Sequence, residues 1–218
     1  MSAVTTVFYV ALITFASGVF GQSAETVGVA NFNKPSLDDW SHKKFAGFTT
    51  YSVVQDGVDS VLNAKSKNSA SGLYLAKRVD LAEYPYVHWR WKISQRLSDR
   101  EERLKQGDDF AARVYLVVSG GMFFWKTRAI SYVWSNQMPK GSEWPNAFAG
   151  ANAMMHSVRG KEDAVNTWYS EKRNLLEDMR RIHGSEIRYI DVLALMSDTD
   201  NAGGSVEAWY DDIYFSKQ

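Results

Sequence analysis

The stretch Tyr86-Val87-His88-Trp89-Arg90-Trp91-Lys92-Ile93 is the clearest sign of the architecture, because its side chains alternate in character. Apolar residues fall at every second position, with polar or charged residues between them. Successive side chains of a β-strand point to opposite faces of the sheet, so this pattern predicts a strand with one buried face. The same alternation recurs over residues 110–118 and 187–196. Together the three stretches predict antiparallel sheets with one solvated side.

Outward from this stretch, about ten short segments of strand character are separated by Gly, Pro, Asn and Ser. Such spacing indicates a β-sandwich or a barrel. No repeat, low-complexity tract or Pro/Gly-rich linker divides the chain, so residues 22–218 are predicted to form a single all-β domain, a jelly-roll or galactose-binding-like β-sandwich. The predicted strands are 48–54, 60–64, 72–76, 86–93, 110–118, 128–134, 153–158, 166–172, 187–196 and 206–215.

Two segments depart from the strand pattern. Asn174 followed by Glu177 forms a capping box, and Gly184 is suited to a helix end, so one short helix is predicted between them. The charged run at 99–106 is predicted to be a solvated turn or a short helix.

The first 21 residues carry no charged side chain and contain an apolar run from Val7 to Phe20. A short apolar run at the N-terminus is typical of a secretory signal peptide, here with cleavage after Gly21. We therefore expect a periplasmic or secreted protein; the alternative is that the segment is retained as an anchor. No later stretch is long enough to span a membrane, so no integral span is expected in the mature chain.

Composition excludes several classes of function. The chain has 25 Lys+Arg and 25 Asp+Glu, which argues against a nucleic-acid-binding protein. It has no cysteine, which removes disulfides, thiolate nucleophiles and Cys-ligated metals. Phosphate-binding glycine loops, nucleophile elbows and the HExxH zinc motif are all missing.

Carboxylates and arginines gather at the ends of predicted strands. Asp108 and Asp109 precede one strand, with Arg113 four residues after Asp109, and Glu171 and Arg173 end another. If these ends meet, the paired carboxylates could perform the acid and base steps of glycosidic cleavage. The alternative is a salt-bridge network that joins the strand ends.

The tryptophans divide into two groups. Trp89, Trp91, Trp168 and Trp209 are assigned by alternation to apolar faces and are predicted to be core residues. The other group, in or beside the Gly- and Pro-containing region 119–150, offers flat apolar faces that suit sugar rings, with packing as the alternative. Its members are Trp125, Trp134 and Trp144.

Two acidic segments raise the question of a metal ion. Asp198-Thr199-Asp200-Asn201 resembles a calcium loop, but Ala202 and Trp209 stand where an EF-hand needs ligands. A non-EF calcium site and a tight turn closed by side-chain hydrogen bonds remain as alternatives. On the last strand, Asp211 falls on the apolar side by alternation, where a carboxylate requires an arginine partner, such as Arg113, or a bound Ca²⁺. Asp211 and Asp212 are therefore the predicted metal residues.

Six strings, in this order, resemble a family of exported bacterial proteins catalogued only as a domain of unknown function. The likeness runs from about Phe32 to Phe215. The strings are Trp89-Arg90-Trp91-Lys92, Gly107-Asp108-Asp109-Phe110-Ala111-Ala112-Arg113-Val114-Tyr115, Tyr132-Val133-Trp134, Glu171-Lys172-Arg173-Asn174, Asp198-Thr199-Asp200-Asn201 and Tyr210-Asp211-Asp212-Ile213.

The outline also looks like carbohydrate-binding jelly rolls. That resemblance implies a structural Ca²⁺ between an early loop and an acidic residue of the last strand. Asp211 or Asp212 matches the late position, whereas Asn31-Phe32-Asn33 stands where such modules often carry Glu.

Three hypotheses for function follow. The first is a module that binds a saccharide or a similar polar ligand and requires no cofactor besides the Ca²⁺ considered above. The second is a glycoside hydrolase or lyase that uses Asp108 or Asp109 with Glu171, and the third is a structural envelope protein whose aromatic loop docks a partner. The ligand-binding residues of the first hypothesis are Arg90, Arg113, Tyr115, Trp134, Trp144 and Arg173.

Overall fold

The structure is a computed structural model that describes residues 25–33, 36–122, 126–184 and 187–218. The predicted signal peptide and Trp125 lie outside these residues. No helix within them is both long and apolar enough to cross a bilayer.

Strands dominate the described residues, with one α-helix and a short 3₁₀ turn at Lys105–Gly107. The strands of the first half are β1 (Thr26–Ala30), β2 (Ser41–Ala46), β3 (Thr50–Asp56), β4 (Asp59–Lys67), β5 (Ala70–Asp80) and β6 (Tyr86–Ile93). The elements of the second half are β7 (Arg113–Val118), β8 (Arg128–Trp134), β9 (Glu143–Asn146), β10 (Gly150–Arg159), β11 (Tyr169–Asn174), α1 (Leu175–His183), β12 (Tyr189–Asp198) and β13 (Ser205–Ser216).

The strands form two sheets, which confirms the predicted all-β sandwich with one short helix. The six-stranded sheet has the order β11-β6-β13-β4-β3, and β1 also pairs with β13. The seven-stranded sheet has the order β2-β5-β12-β7-β8-β10-β9. Antiparallel pairing was predicted, but β10 runs parallel to β8. This exception arises because β9 turns back along the outer edge of β10 instead of lying between the two strands.

The core lies between the inner faces of the sheets. Alternation in β6 is confirmed, since Trp89 and Trp91 are buried. Trp89 stacks on Tyr132 of β8 with ring centroids 5.2 Å apart, and Trp91 packs against Trp134 at 5.8 Å. These large rings fill the space between the two sheets, where burial of aromatic surface stabilises the fold.

A β-bulge in β13 makes the prediction for Trp209 wrong. Its register against β6 shifts between Asp211 and Tyr214, and Asp212 has φ of 50°, in the left-handed region. Before the bulge Tyr210 is the buried residue and Trp209 is half-buried on the outer face. Trp168 is also half-buried, outside the core. Strict alternation cannot be carried through an inserted residue.

The helix prediction is confirmed at both ends. The Asn174 side chain accepts a hydrogen bond from the Glu177 amide at 3.1 Å, and Gly184 ends α1 in the left-handed conformation with φ of 61°. Leu175 and Met179 are buried in the core.

The charged run before β7 leads into the 3₁₀ turn, and most of its side chains are exposed, as predicted. Glu102 is the exception: it is fully buried, and its carboxylate accepts hydrogen bonds from the Ser135 hydroxyl and the Asn136 backbone amide, both at 2.5 Å. Gly107 is required here, because a Cβ would lie 2.4 Å from the Glu101 carbonyl oxygen. These contacts fix the backbone that leads to Asp108.

Candidate functional site

The candidate site is a groove on the outer face of the seven-stranded sheet. In β7, Val114 and Leu116 point into the core, so Arg113 and Tyr115 point outward. Two adjoining clefts of about 360 and 430 Å³ lie on this face, and both are lined by Phe45, Tyr115 and Met196. We call the continuous surface the outer groove.

One half of the outer groove is apolar. Its floor consists of small and aliphatic residues, and the rings of Tyr74 and Phe45 rise beside them. Phe45 is 61% exposed although it is large and apolar. The floor residues are Gly72, Val117, Val192, Ala194 and Met196.

The other half contains a cluster of buried polar side chains organised by Arg113, although its accessible surface is mostly apolar. We call it the polar half. Arg113 Nε donates to Asp198 Oδ1 at 2.8 Å, and its Nη1 donates to the Tyr115 hydroxyl at 3.0 Å. Nη2 donates to Asp198 Oδ2 and to the Asp108 carbonyl oxygen. Asn146 of β9 contributes an amide that donates to Asp108 Oδ2 at 3.3 Å. This buried guanidinium fixes the side chains that border the polar half.

Burial and charge shift the pKa values in this half upward. Burial raises the pKa of Asp198 to about 8, although the adjacent Arg113 acts in the opposite direction. Burial also raises the pKa values of Asp108 and Asp200. Burial disfavours the charged form of Arg113, but Asp108 and Asp198 hold its pKa well above the usual value. More carboxylates than guanidinium groups are therefore held close together in a region of low dielectric.

Asp109 lies next to this half and organises the loop after β12. Its carboxylate accepts hydrogen bonds from Arg100 at 2.8 Å and from the backbone amides of Asn201 and Ala202 at 3.0 and 2.8 Å. These bonds hold the loop in place from outside, and within the loop the Asn201 side-chain amide donates to Asp200 Oδ1 at 3.2 Å.

The same region contains a group of acidic oxygens of the kind that binds metals. One carboxylate oxygen each of Asp109, Asp198 and Asp200 lies within 4.8 Å of the other two. Arg100 and Arg113 already supply positive charge to Asp109 and Asp198, so the contacts present describe an ion-pair network. The three carboxylates could hold a cation beside these arginines, because each carboxylate offers more lone pairs than one guanidinium uses.

Four of the predicted site residues thus come together: Asp108, Asp109, Arg113 and Tyr115. Glu171 does not join them. It lies on β11 in the six-stranded sheet, where it accepts hydrogen bonds from Trp91 Nε1 at 3.0 Å and Arg159 Nε at 2.6 Å. None of these partners bonds to Asp108 or Asp109, so the paired carboxylates of the enzyme hypothesis belong to separate networks.

Trp134 and Trp144 do not offer stacking surfaces in this structure. Trp134 is 0% exposed and Trp144 is 3% exposed. Trp134 points into the core between the sheets, whereas Trp144 stacks on Phe110 with centroids 6.3 Å apart. Between the two alternatives considered for these tryptophans, the structure shows packing.

Arg90, Asp211 and Asp212 lie on the opposite side of the protein, on the outer face of the six-stranded sheet. Arg90 Nη2 lies 2.6 Å from Asp211 Oδ2, and Arg90 Nε lies 3.0 Å from Asp212 Oδ2. Arg90, not Arg113, is the partner of Asp211. Among the described residues, the acidic group with metal-binding geometry is the one around Asp109 and not this pair. Of the two kinds of partner predicted for Asp211, the structure shows an arginine.

Arg173 is also separate from the outer groove. It donates to both oxygens of the Asp178 carboxylate on α1, at 3.0 and 2.8 Å, and so joins β11 to the helix. Tyr132 donates to the same carboxylate at 2.7 Å, and Arg181 links it to Glu143. This network is structural, and it extends to a buried histidine.

That histidine, His156, gives a prediction for pH dependence. Burial lowers its pKa, although the Glu143 carboxylate at 2.7 Å favours the charged form. Because the folded pKa lies below the unfolded value, this group contributes stability above pH ~6.5 that is lost as pH falls through the folded pKa. We expect the stability advantage of the wild type over His156→Gln to shrink between about pH 7.5 and pH 5 in urea unfolding.

The neighbouring Met155→Leu variant is the control, since its effect should not vary with pH. A His156→Gln effect that stays constant or grows on acidification would contradict this assignment.

Sequence reasoning missed the residues at the rim of the outer groove. Phe45 and Asn146 lie on β2 and β9, which were not predicted as strands, and Phe148 follows β9 in a turn. Phe148 is 58% exposed, and the Lys105 ammonium lies 5.3 Å from its ring centroid. For Phe45, the available signal was the pair of lysines directly before a phenylalanine, in Lys43-Lys44-Phe45.

Solved structures with this architecture include carbohydrate-binding modules. The family 30 module of a cellulosomal cellulase from Clostridium thermocellum aligns with a TM-score of 0.50 and 14% identity, covering 88% of this chain and 98% of the module. The family 11 module from Clostridium thermocellum, solved with a β-1,3-1,4-mixed-linked tetrasaccharide, aligns with a TM-score of 0.47 and 10% identity, covering 89% and 97%. At these identities the likeness shows the fold alone.

No curated protein matches the sequence. The family described as "Protein of unknown function (DUF3047)" matches residues 38–214, in agreement with the resemblance drawn from the six strings. Because the match spans most of the sequence, the chain belongs to this family.

Proposed function

We propose that the protein binds a saccharide in the outer groove. The observation that carries the proposal is the pairing of exposed phenyl rings with a fixed hydrogen-bonding cluster over one continuous floor. Binding sites for small ligands combine apolar walls with a few precisely placed polar groups. A sugar ring has an apolar C–H face and an edge of hydroxyl groups, so it matches both halves.

The rings provide the apolar part of this recognition. Phe45 stands where the two halves join, and Phe148 borders the polar half. Both are more than half exposed, which costs free energy unless a ligand covers them. Stacking on a sugar face would remove this apolar surface from water.

The polar groups provide the directional part. The three guanidinium nitrogens of Arg113 donate to Asp198, Asp108 and Tyr115. Arg113 therefore positions these side chains and does not itself contact the ligand. Tyr115 accepts from Arg113 and retains its own hydroxyl proton for donation. Asp200 is half-buried at the edge of the groove, and its Oδ1 accepts a hydrogen bond from the side-chain amide of Asn201 at 3.2 Å. Tyr115 and Asp200 are the groups that would contact sugar hydroxyls.

The proposed setting is outside the cytoplasm. Its support is the uncharged apolar stretch in the first 21 residues. A protein that meets polysaccharide chains would encounter them there.

Oligosaccharide titration by calorimetry tests the proposal. With a panel of neutral, acidic and amino oligosaccharides, we expect at least one class to bind and Phe45→Ala to weaken that binding by about tenfold, as one lost aromatic contact implies. Phe48→Ala is the matched control, because Phe48 is 59% exposed but does not line the outer groove. If no class binds, or if the two variants weaken binding equally, the proposal is wrong.

The enzyme hypothesis is not favoured, because Glu171 belongs to the Trp91–Arg159 network and not to the outer groove. The same panel reports on it directly. Formation of new reducing ends or unsaturated products would establish turnover, and its loss in Asp108→Asn would place that turnover in the groove.

A further inference from the structure

A second surface feature lies at one corner of the sandwich, beside the outer groove. The strand β2, the crossing to β3 and the hairpin between β4 and β5 meet there. Phe48, Lys65 and Lys67 line one cleft there, and the Lys44 ammonium lies beside the Phe48 ring. We call this surface the basic corner; its residues are Lys44, Phe48, Lys65 and Lys67.

The basic corner carries an excess of positive charge. Lys65 pairs with Glu207 at 3.2 Å. Within the described parts of the chain, Lys44 and Lys67 have no carboxylate within ion-pair distance. The full chain has equal numbers of basic and acidic residues, so this local excess is a property of the corner and not of the composition.

The same corner exposes a large apolar ring. Phe48, which follows the edge strand β2, is 59% exposed. The Lys44 ammonium lies 5.0 Å from the centroid of this ring. The phenyl ring of Phe48 is therefore placed beside an ammonium group.

Lysines on an edge strand also prevent edge-to-edge association, but that role does not explain a large exposed ring. A nucleic acid is a weaker match, since the corner has few cations and no continuous basic stripe. A ring flanked by lysines matches the interface of an anionic bilayer. Aromatic groups there leave water at the boundary between headgroups and acyl chains, while ammonium groups reach the lipid phosphates.

We propose that the basic corner docks the protein on anionic lipid headgroups. The outer groove is a separate cleft from the one lined by Phe48, Lys65 and Lys67, so docking at the corner would leave the groove facing the aqueous phase. The inference does not depend on saccharide binding, because Lys44, Phe48 and Lys67 lie outside the groove.

Cosedimentation of the full chain with vesicles tests the inference. One set of vesicles contains phosphatidylcholine alone, and the other contains equal parts of phosphatidylcholine and phosphatidylglycerol, each at low and high salt. An N-terminal apolar segment would insert into both sets, so the quantity measured is the additional binding that phosphatidylglycerol produces. We expect the binding that depends on phosphatidylglycerol to decrease at high salt. The same binding should decrease on the order of 20-fold in Lys44→Gln/Lys67→Gln, as the loss of two surface lysines implies.

Two further variants complete the experiment. Phe48→Ser should reduce the phosphatidylglycerol-dependent binding by about tenfold, because one ring that enters the bilayer interface is lost. Lys77→Gln/Lys161→Gln removes the same charge from exposed positions elsewhere and should retain most of the binding. Equal binding to the two vesicle types, or equal loss in the two lysine pairs, would overturn the proposal. Saccharide affinity of the Lys44→Gln/Lys67→Gln variant should be unchanged in oligosaccharide titration, because these lysines lie outside the outer groove.

Discussion

Replacement of Arg113 by methionine is expected to lower the free energy of unfolding by about 3–5 kcal/mol, as measured by urea denaturation. Arg113 is almost fully buried and is bonded to the Asp198 carboxylate, and Asp108 lies beside it. Removing the guanidinium leaves these carboxylates in a region of low dielectric without a counter-charge. Since protonation would neutralise them, the loss should be smaller at pH ~5 than at pH ~8.

Arg188→Met is the control for this experiment. Arg188 is largely exposed and pairs with Asp80 at 2.9 Å, so its loss should cost under about 1 kcal/mol. Adding Asp198→Asn to Arg113→Met should restore part of the lost stability, because it removes one of the stranded charges. If Arg113→Met lowers the free energy of unfolding by no more than Arg188→Met does, the ion-pair network around Arg113 is solvated and the prediction is wrong.

The second large effect is expected at Trp134. Truncation of a buried tryptophan to alanine costs about 3–5 kcal/mol, because the cavity left behind cannot fully collapse. Trp134 contacts Trp91 and lies edge-on to Tyr169, with centroids 5.5 Å apart, so its removal would open the core between the sheets. Saccharide affinity of the remaining folded protein should be unchanged, since the ring does not reach the outer groove.

Trp209→Ala is the comparison, because this half-buried indole lies over Lys92 at 4.7 Å on the outer face. It should cost clearly less than Trp134→Ala. If Trp134→Ala instead weakened ligand binding with little loss of stability, its assignment to the core would be wrong.

Local signals in the sequence predicted much of the fold. The strand β6 shows perfect alternation, and the observed bounds agree with the predicted 86–93. Asn174, Glu177 and Gly184 set the ends of α1 through bonds within a few residues. Such features depend on backbone geometry and on nearby side chains, which a short sequence window contains.

The candidate site was only partly predictable because it depends on pairing between distant elements. Asp108 and Arg113 were found since they are neighbours in sequence, but their partner Asp198 comes from β12. Phe45 belongs to an exposed edge strand that shows no buried alternation. The bulge at Asp212 reversed the side assigned to Trp209, and no periodic pattern marks an inserted residue.

The position of β13 has a consequence for synthesis. It lies inside the six-stranded sheet, hydrogen-bonded to β4 on one side and to β6 on the other, yet it is the last strand in chain order. While a ribosome still holds residues 205–216, β4 and β6 have no strand between them, and their backbone groups along that gap lack partners. Closure of this sheet must therefore wait until residues 205–216 have left the ribosome, so the strands made before them stay without their central neighbour until then.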